Sequence, residues 1–456
     1  MRAISLCLCA LALATSAYAQ LLGGVSSADP SDKSVVDAAA FAVQQINARE
    51  NSMFAQLLSV VVEASSQVVA GVKYSLVVET LRSTECRNDG ELHSMCSCAA
   101  DSSNPLRYEV EVLSQPWKQP EMQLLSTKSV PVTSANSVDA TSSKLSIGSA
   151  ISAASPDFQS FLKSYKPDYC NNAAEISRRA DIFQANMGRI KKLQQNEKGS
   201  AKYGVTQFAD LTEQEFLARY AQSTPMKPST TMRKAPLMDV KDTPTSFDWR
   251  EHNAVTAVKN QGGCGSCWAF STTGNIEGQW AIKKGKLVSL SEQELVDCDK
   301  VDHGCKGGLP SDAYKQIMKL GGLTTEQQYP YTGRDGSCHF NPSTEAVNIN
   351  GSIALPQDEE QLAAWLAANG PISIGINAGP MQFYFGGISH PWKLFCNPDH
   401  LDHGVLLVGY GVKDGEPYWI VKNSWGATWG EEGYYLVYRG AGVCGLNRMA
   451  TSSVVA

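Results

Sequence analysis

The chemistry in this 456-residue chain gathers in one stretch, Gln261-Gly262-Gly263-Cys264-Gly265-Ser266-Cys267-Trp268-Ala269-Phe270. A sulfur nucleophile reacts as the thiolate, so it needs surroundings that favour the anion. The apolar residues from Trp268 to Phe270, with Ile276 and Trp280 further on, read as a helix that starts at Cys267, where the helix dipole favours negative charge. The glycines permit a tight turn and close backbone approach. Gln261 offers a side-chain N–H that, with the backbone N–H of Cys267, can hold an oxyanion. On spacing alone, Cys264-x-x-Cys267 equally describes a zinc or redox pair. A second Cys-x-x-Cys or a Cys/His knuckle would support zinc, and the chain has neither.

The form Cys-Gly-Ser-Cys-Trp resembles the nucleophile segment of the papain and cathepsin family of cysteine proteases. Two further motifs follow in that family's order. His403 lies 136 residues on, in Leu401-Asp402-His403-Gly404-Val405, and Asn423 lies in Tyr418-Trp419-Ile420-Val421-Lys422-Asn423-Ser424-Trp425-Gly426. The resemblance implies acyl transfer through a thioester. Cys267, as a thiolate paired with imidazolium His403, attacks a peptide carbonyl; His403 protonates the leaving amine and later activates water. Asn423 holds the imidazole in its working tautomer, Trp425 shields that hydrogen bond, and Gln261 serves the oxyanion. The glycines of Gly307-Gly308-Leu309-Pro310 would pair with an extended substrate. Leu309, Pro310, Ala378, Leu401, Gly404 and Met449 would line the second subsite. All six are apolar, which implies preference for a residue such as Leu or Val there. No long His-rich insertion lies between Cys305 and Tyr329, which favours endopeptidase action. The resemblance also selects the disulfides Cys264–Cys305, Cys298–Cys338 and Cys396–Cys444, leaving Cys267 as the thiol. Neither cofactor nor metal is implied.

Around this centre the chain reads as several parts. Met1 to Ala19 has a basic Arg2, an apolar run and an Ala17-Tyr18-Ala19 cleavage pattern, as a secretory signal peptide does. Cysteines can therefore pair. Residues 20–119 read as a small α+β domain: a helix carrying Val35, Val36, Ala39, Ala40, Val43 and Ile46 on one face, then strands at 57–62, 72–81 and 107–113. That order resembles a cystatin. Gly23-Gly24, Gln67-Val68-Val69-Ala70-Gly71 and Pro116-Trp117 match the three pieces that form the cystatin wedge, which makes Gly24, Gln67, Val69, Gly71, Pro116 and Trp117 inhibitory candidates. The spacing of Cys86 and Cys96 is similar to the first cystatin disulfide; Cys98 pairs with distant Cys170, or either of them is free. Residues 120–156 read as a linker, since thirteen of the thirty residues from Ser126 to Ser155 are Ser or Thr and none is aromatic.

Residues 157–242 resemble the inhibitory propeptide of the family. Glu175, Arg179, Phe183, Asn186, Ile190 and Gln194 carry the helix motif, its Gln ending shared with the cathepsin F branch, and Gly204-Val205-Thr206-Gln207-Phe208-Ala209-Asp210 carries the strand motif. Its extended end would run backwards through the cleft, and acid would loosen it by protonating Glu175 and Asp210. Residues 243–456 read as the catalytic domain, helix-rich then strand-rich. The expected fold is α+β: a two-lobed papain-like domain with a helical and a β-rich lobe, preceded by the propeptide and the cystatin-like domain. The layout as a whole resembles the cathepsin F branch.

The function this implies is a cysteine endopeptidase made as a zymogen. Its expected partners are polypeptide substrates and its own propeptide, with cystatin-type inhibitors and other papain-like proteases as further candidates. The alternative is an inhibitor whose protease domain is a dead scaffold. A net charge of −6 gives no sign of nucleic-acid or anionic-membrane binding, and no later stretch is apolar enough to span a bilayer. The sequon Asn350-Gly351-Ser352 is a glycosylation candidate that suits a lysosomal or a secreted protein.

Overall fold

The computed structural model describes residues 24–132, 146–222, 225–341, 343 and 347–455, Gly90 and Lys166 excepted. The expected signal peptide, Gly23 and part of the expected linker lie outside the described residues. The chain forms two compact units that part after Ala180.

In the first unit, β1 (Val25–Ser27) leads into α1 (Lys33–Arg49), then β2 (Phe54–Val69), β3 (Gly71–Arg87), β4 (Ala100–Ser114) and β5 (Met122–Val130). The strands form one antiparallel sheet in the order β1-β2-β3-β4-β5. Val35, Val36, Ala39, Val43 and Ile46 bury one face of α1. Leu57, Leu76, Val78, Val110 and Val112 answer from the sheet, as period-2 strands with one dry face must. The three wedge candidates meet at one end of this sheet. Val25 pairs with Gln67 and Val72 with Ser114, and the Gln115 amide donates to the Ala70 carbonyl. Gly71 closes the β2–β3 hairpin at φ +125°, where a Cβ would meet the Ser114 carbonyl.

Two sequence expectations are corrected in this unit. Residues 122–130 are not linker but the fifth strand, and Ile147–Ala153 forms a helix, α2, whose Ile147 and Ala150 are buried. The second correction concerns pairing: Cys86 bonds Cys98, and Cys96 bonds Cys170. α3 (Pro156–Tyr165) and the first turns of α4 (Ala173–Gln195) complete the unit.

The second unit takes up α4 at Asp181. It continues through β6 (Lys202–Tyr203), α5 (Glu213–Tyr220), β7 (Arg233–Lys234), β8 (Phe247–Asp248), α6 (Cys267–Lys284), α7 (Glu292–Cys298) and α8 (Pro310–Leu320). Then come β9 (Gly351–Ala354), α9 (Glu359–Asn369), β10 (Ile372–Ile376), β11 (Tyr384–Gly386), β12 (His403–Lys413), β13 (Glu416–Lys422), β14 (Tyr434–Tyr438) and β15 (Ala450–Val454). Helices α6, α7 and α8 enclose a core of Trp268, Ile276, Leu295, Tyr314 and Ile317. The other lobe is a sheet in the order β14-β13-β12-β10-β15-β9-β7, with β8 also pairing β12. Its core holds Ile374, Val405, Leu407, Trp419 and Tyr435.

Polar groups lock the seam between the lobes. Ser271 Oγ donates to the Val405 carbonyl at 2.7 Å, and Asn275 Nδ2 donates to the Pro371 carbonyl at 2.8 Å. The Ser291–Glu294 spacing at the start of α7 is half used. Ser291 Oγ accepts from the Glu294 N–H, but the Glu294 carboxylate turns to the Thr324 N–H at 2.7 Å. The architecture is α+β.

Candidate active site

Cys267 opens α6 just after Ser266, and the loop before it is pinned on three sides. Gly265 N–H donates to the Cys305 carbonyl at 2.9 Å, and Cys264 is bonded to Cys305. Gln261 donates its backbone N–H to the Ser424 carbonyl and accepts from Ser424 Oγ at 2.6 Å, while its Nε2 donates to the Cys264 carbonyl at 2.9 Å. Opposite, β12 begins with His403-Gly404. A Cβ at Gly404 would lie 3.2 Å from the Cys267 carbonyl oxygen and from Trp268 N and Cα. A glycine there lets the two lobes close until the Gly404 N–H reaches the Cys267 sulfur.

His403 Nε2 lies 2.8 Å from Asn423 Oδ1, and that same oxygen accepts from the Ser424 N–H. An amide oxygen only accepts, so Nε2 carries the proton and Nδ1 presents its lone pair. Nδ1 is buried and bonded to no protein atom. The Trp425 ring stacks on the imidazole, centroids 4.8 Å apart at 23°, and covers the bond to Asn423.

Burial sets the charge state here. Cys267 and His403 are both 0 % exposed. Desolvation pushes the thiol up to about 12, against the smaller help of the Gly404 N–H. It pulls the imidazole down to about 4, although the Asn423 bond favours the cation. In this closed form, loss of water works against the expected thiolate–imidazolium pair, driving the thiol up and the imidazole down.

What covers them is the chain's own segment from Ala221 onward. Gln222 N–H donates to the Asp402 carbonyl at 2.8 Å, and Gln222 Oε1 accepts from the Gly308 N–H at 3.1 Å. Met226 donates its N–H to the Leu401 carbonyl at 2.7 Å and buries its side chain with Leu401, Met449 and Leu309. Gly307 packs on Gln222. Pro310 opens α8, and the Ala378 N–H donates to Asp402 Oδ1 at 2.7 Å. Arg233–Lys234 then adds a parallel strand beside β9.

The stretch before Ala221 grips the sheet lobe. Asn186 Nδ2 donates to the Ala209 and Leu211 carbonyls, each at 2.8 Å. Gln382, buried, donates to the Phe208 and Leu211 carbonyls and accepts from Thr206 Oγ1 through its own carbonyl. Phe208, Phe216 and Tyr220 surround Trp425, whose indole N–H donates to the Tyr220 carbonyl at 2.9 Å.

Sequence reasoning missed Met226, Gln382 and Gly375. Gly375 pairs with Gly404 in the β10–β12 ladder, and a Cβ there would crowd Met449 and Leu401. A glycine inside an apolar strand was the only available signal. Among the described residues, one His/Cys group is close enough to suggest a metal: Cys86, His93 and Cys98. Its two sulfurs are joined in a disulfide.

Comparison with known proteins agrees with this layout. Residues 23–111 match the description of a cystatin domain, 158–216 a cathepsin propeptide inhibitor domain, and 243–454 a papain family cysteine protease. Cathepsin F of Mus musculus is 52 % identical over 301 residues, covering 66 % of this chain and 65 % of that protein. Cathepsin F of Drosophila melanogaster is 52 % identical over 294 residues, covering 62 % and 48 %. Procathepsin L2 from the Tenebrio molitor larval midgut superimposes with a TM-score of 0.60 at 35 % identity, over 67 % of this chain and 100 % of its own. The chain belongs to the papain family of cysteine proteases.

Within that family its three matched regions make it cathepsin F-like. The match covers less than two thirds of either cathepsin F. The covering segment follows a few residues after the region that matches the propeptide inhibitor domain, and the Cys267, His403 and Asn423 cluster lies under it. The remaining two bonded pairs are Cys298–Cys338 and Cys396–Cys444. Cys267 is the free cysteine among the described residues.

Proposed function

We propose that the chain is the zymogen of a cysteine endopeptidase, with Cys267 as nucleophile, His403 as acid and base, Asn423 as the group that orients the imidazole, and Gln261 as an oxyanion donor. The observation that carries this is the imidazole itself. With Nε2 fixed on Asn423, the Nδ1 lone pair is left without a protein partner. The Gly404 N–H, next in sequence, reaches the sulfur of Cys267, the free cysteine among the described residues. When the propeptide leaves, water returns, the sulfur proton moves to Nδ1, and the resulting ion pair is the reactive state. The thiolate attacks the carbonyl carbon and the oxyanion forms near Gln261 Nε2. His403 protonates the departing amine, then takes a proton from water as it opens the thioester. One oxyanion donor is typically worth ~10²–10³ in turnover.

Met226, buried against Leu309, Leu401 and Met449, supports an apolar preference at the second subsite. Gly307 and Gly308 are the partners for extended substrate backbone. The propeptide runs from the Trp425 side toward that subsite, the reverse of a substrate. The domain limits follow as 20–130 for the cystatin-like part, then the propeptide to about 242 and the protease to 456. We place maturation in the secretory pathway, with lysosomal or secreted fate, and Asn350, exposed at the head of β9, as the glycan acceptor.

Labelling of the processed form with a thiol-directed epoxide, followed by peptide sequencing, tests the assignment. Modification at Cys267 alone, and loss of labelling and peptidase activity in Cys267→Ala, are the expected results; an active Cys267→Ala protein would overturn it. A second function is favoured by one observation. Val25, Val68, Val69 and Trp117 are 68, 41, 46 and 68 % exposed at the same end of the first sheet, as a surface that enters another papain-like cleft would be. The first unit failing to inhibit papain at micromolar concentration refutes that reading.

A further inference from the structure

We propose that the Cys96–Cys170 bond makes the cystatin-like part and the propeptide one covalent piece, so that cutting the connection between them during maturation does not separate them. Cys96 sits between β3 and β4, and Cys170 precedes α4, which carries the propeptide helix motif. The bond spans 74 residues and bridges the whole Ser/Thr-rich connection. This inference rests on the zymogen reading above and concerns the fate of what is removed.

The bond does not stand alone. α2 lies on the sheet, with Ile147 beside Val36, Ser59 and Val61, and Gly148 against Met95. Asn172 Nδ2 donates to the Ser31 carbonyl at 2.8 Å. Residues 146–172 therefore belong physically to the cystatin-like part while leading into the propeptide. Both cysteines are nearly fully buried, at 2 and 3 % exposed. A low-molecular-weight thiol reaches them only when this stretch lifts away.

Release then takes two events. A protease cuts the connection, and two equivalents of a thiol such as cysteine or glutathione reduce the bond. Each thiol gives one electron and one proton, leaving Cys96 and Cys170 as thiols and the reductant as its disulfide. Until both have happened, an inhibitory wedge and a cleft-blocking segment travel as one molecule. Cutting at the mature N-terminus alone liberates both together.

The test uses the full chain with Cys267→Ser, to stop self-processing, and a site for a sequence-specific protease inserted within residues 133–145. After cutting, a denaturing gel without reductant is expected to show one band of full mass, and two bands once thiol is added. Two bands without thiol overturn the proposal. Peptide mapping of the uncut, unreduced protein keeps the test independent of folding defects in a cysteine variant. A Cys96–Cys170 peptide is expected; Cys170 found free or joined elsewhere refutes the assignment. Neither readout depends on activity, so a protein that is tethered but inactive would refute the protease reading and leave this one standing.

Discussion

In a Cys267→Ser zymogen, where no thiol can pass its proton to the ring, acid should open the closed form through His403, and the size of the effect follows from its burial. In the closed form the imidazole takes up a proton only near pH 4, whereas its ordinary value is 6.5. Between those limits the open form binds more protons than the closed form, so the closed form loses stability as pH falls. At about 1.4 kcal/mol per tenfold change in proton affinity, the gap amounts to about 3 kcal/mol, or roughly 300-fold in the closed-to-open ratio. Glu175 lends the start of α4 stability that acid also removes. Arg178, ahead of Arg179, holds its carboxyl below the usual range against partial burial, and the stability it lends is lost as pH falls through that lowered value. The assay is amide hydrogen exchange on the Cys267→Ser zymogen, corrected for intrinsic rates. It would follow Met226 and Ala235, whose N–H groups bond the Leu401 and Ala354 carbonyls. Protection should fall by roughly 100-fold between pH 7 and pH 4, where the closed-form imidazole is itself about half protonated. A second variant that also carries His403→Gln, a side chain that does not titrate, should lose most of that dependence. An unchanged slope would refute the reasoning and move the trigger elsewhere.

Met226→Asp places a carboxylate in the apolar cluster of Leu309, Leu401 and Met449 and should speed processing at pH 7.5 by about tenfold or more, read from a time course of zymogen loss. Met449→Glu should raise kcat/KM for Arg relative to Leu at the second subsite by about tenfold, measured with paired peptide substrates. Asn186→Leu leaves the Ala209 carbonyl without its donor and should cost the zymogen about 1–3 kcal/mol. Calorimetry should find the processed enzyme, which lacks that residue, unchanged.

The reacting residues were legible because fixed local motifs surround each of them, and the fold brings those motifs to one seam. The helix of the first unit was legible from its spacing, since Val35, Val43 and Ile46 can share a dry face in only one way. β5 was not. Of its nine residues only Leu124 is buried, because an edge strand needs little apolar surface, and Ser and Thr there read as linker. The partner of Cys96 was equally hidden, since a bond across 74 residues leaves no local trace. What burial does to Cys267 in the closed form was hidden for a third reason. The dipole at a helix start is a local property, but the dryness that overrides it comes from residues forty positions upstream.

Removal of the propeptide also has a cost at the edge of the sheet lobe. While β7 is in place, β9 has neighbours on both flanks. Once it is gone, the outer rim of that strand offers bare amides and carbonyls to any passing extended chain. The strand is only four residues long, which limits how much can adhere, and Asn350 stands at its head. A sugar attached there would act as a bumper for the newly uncovered rim, guarding the mature enzyme against stacking upon itself.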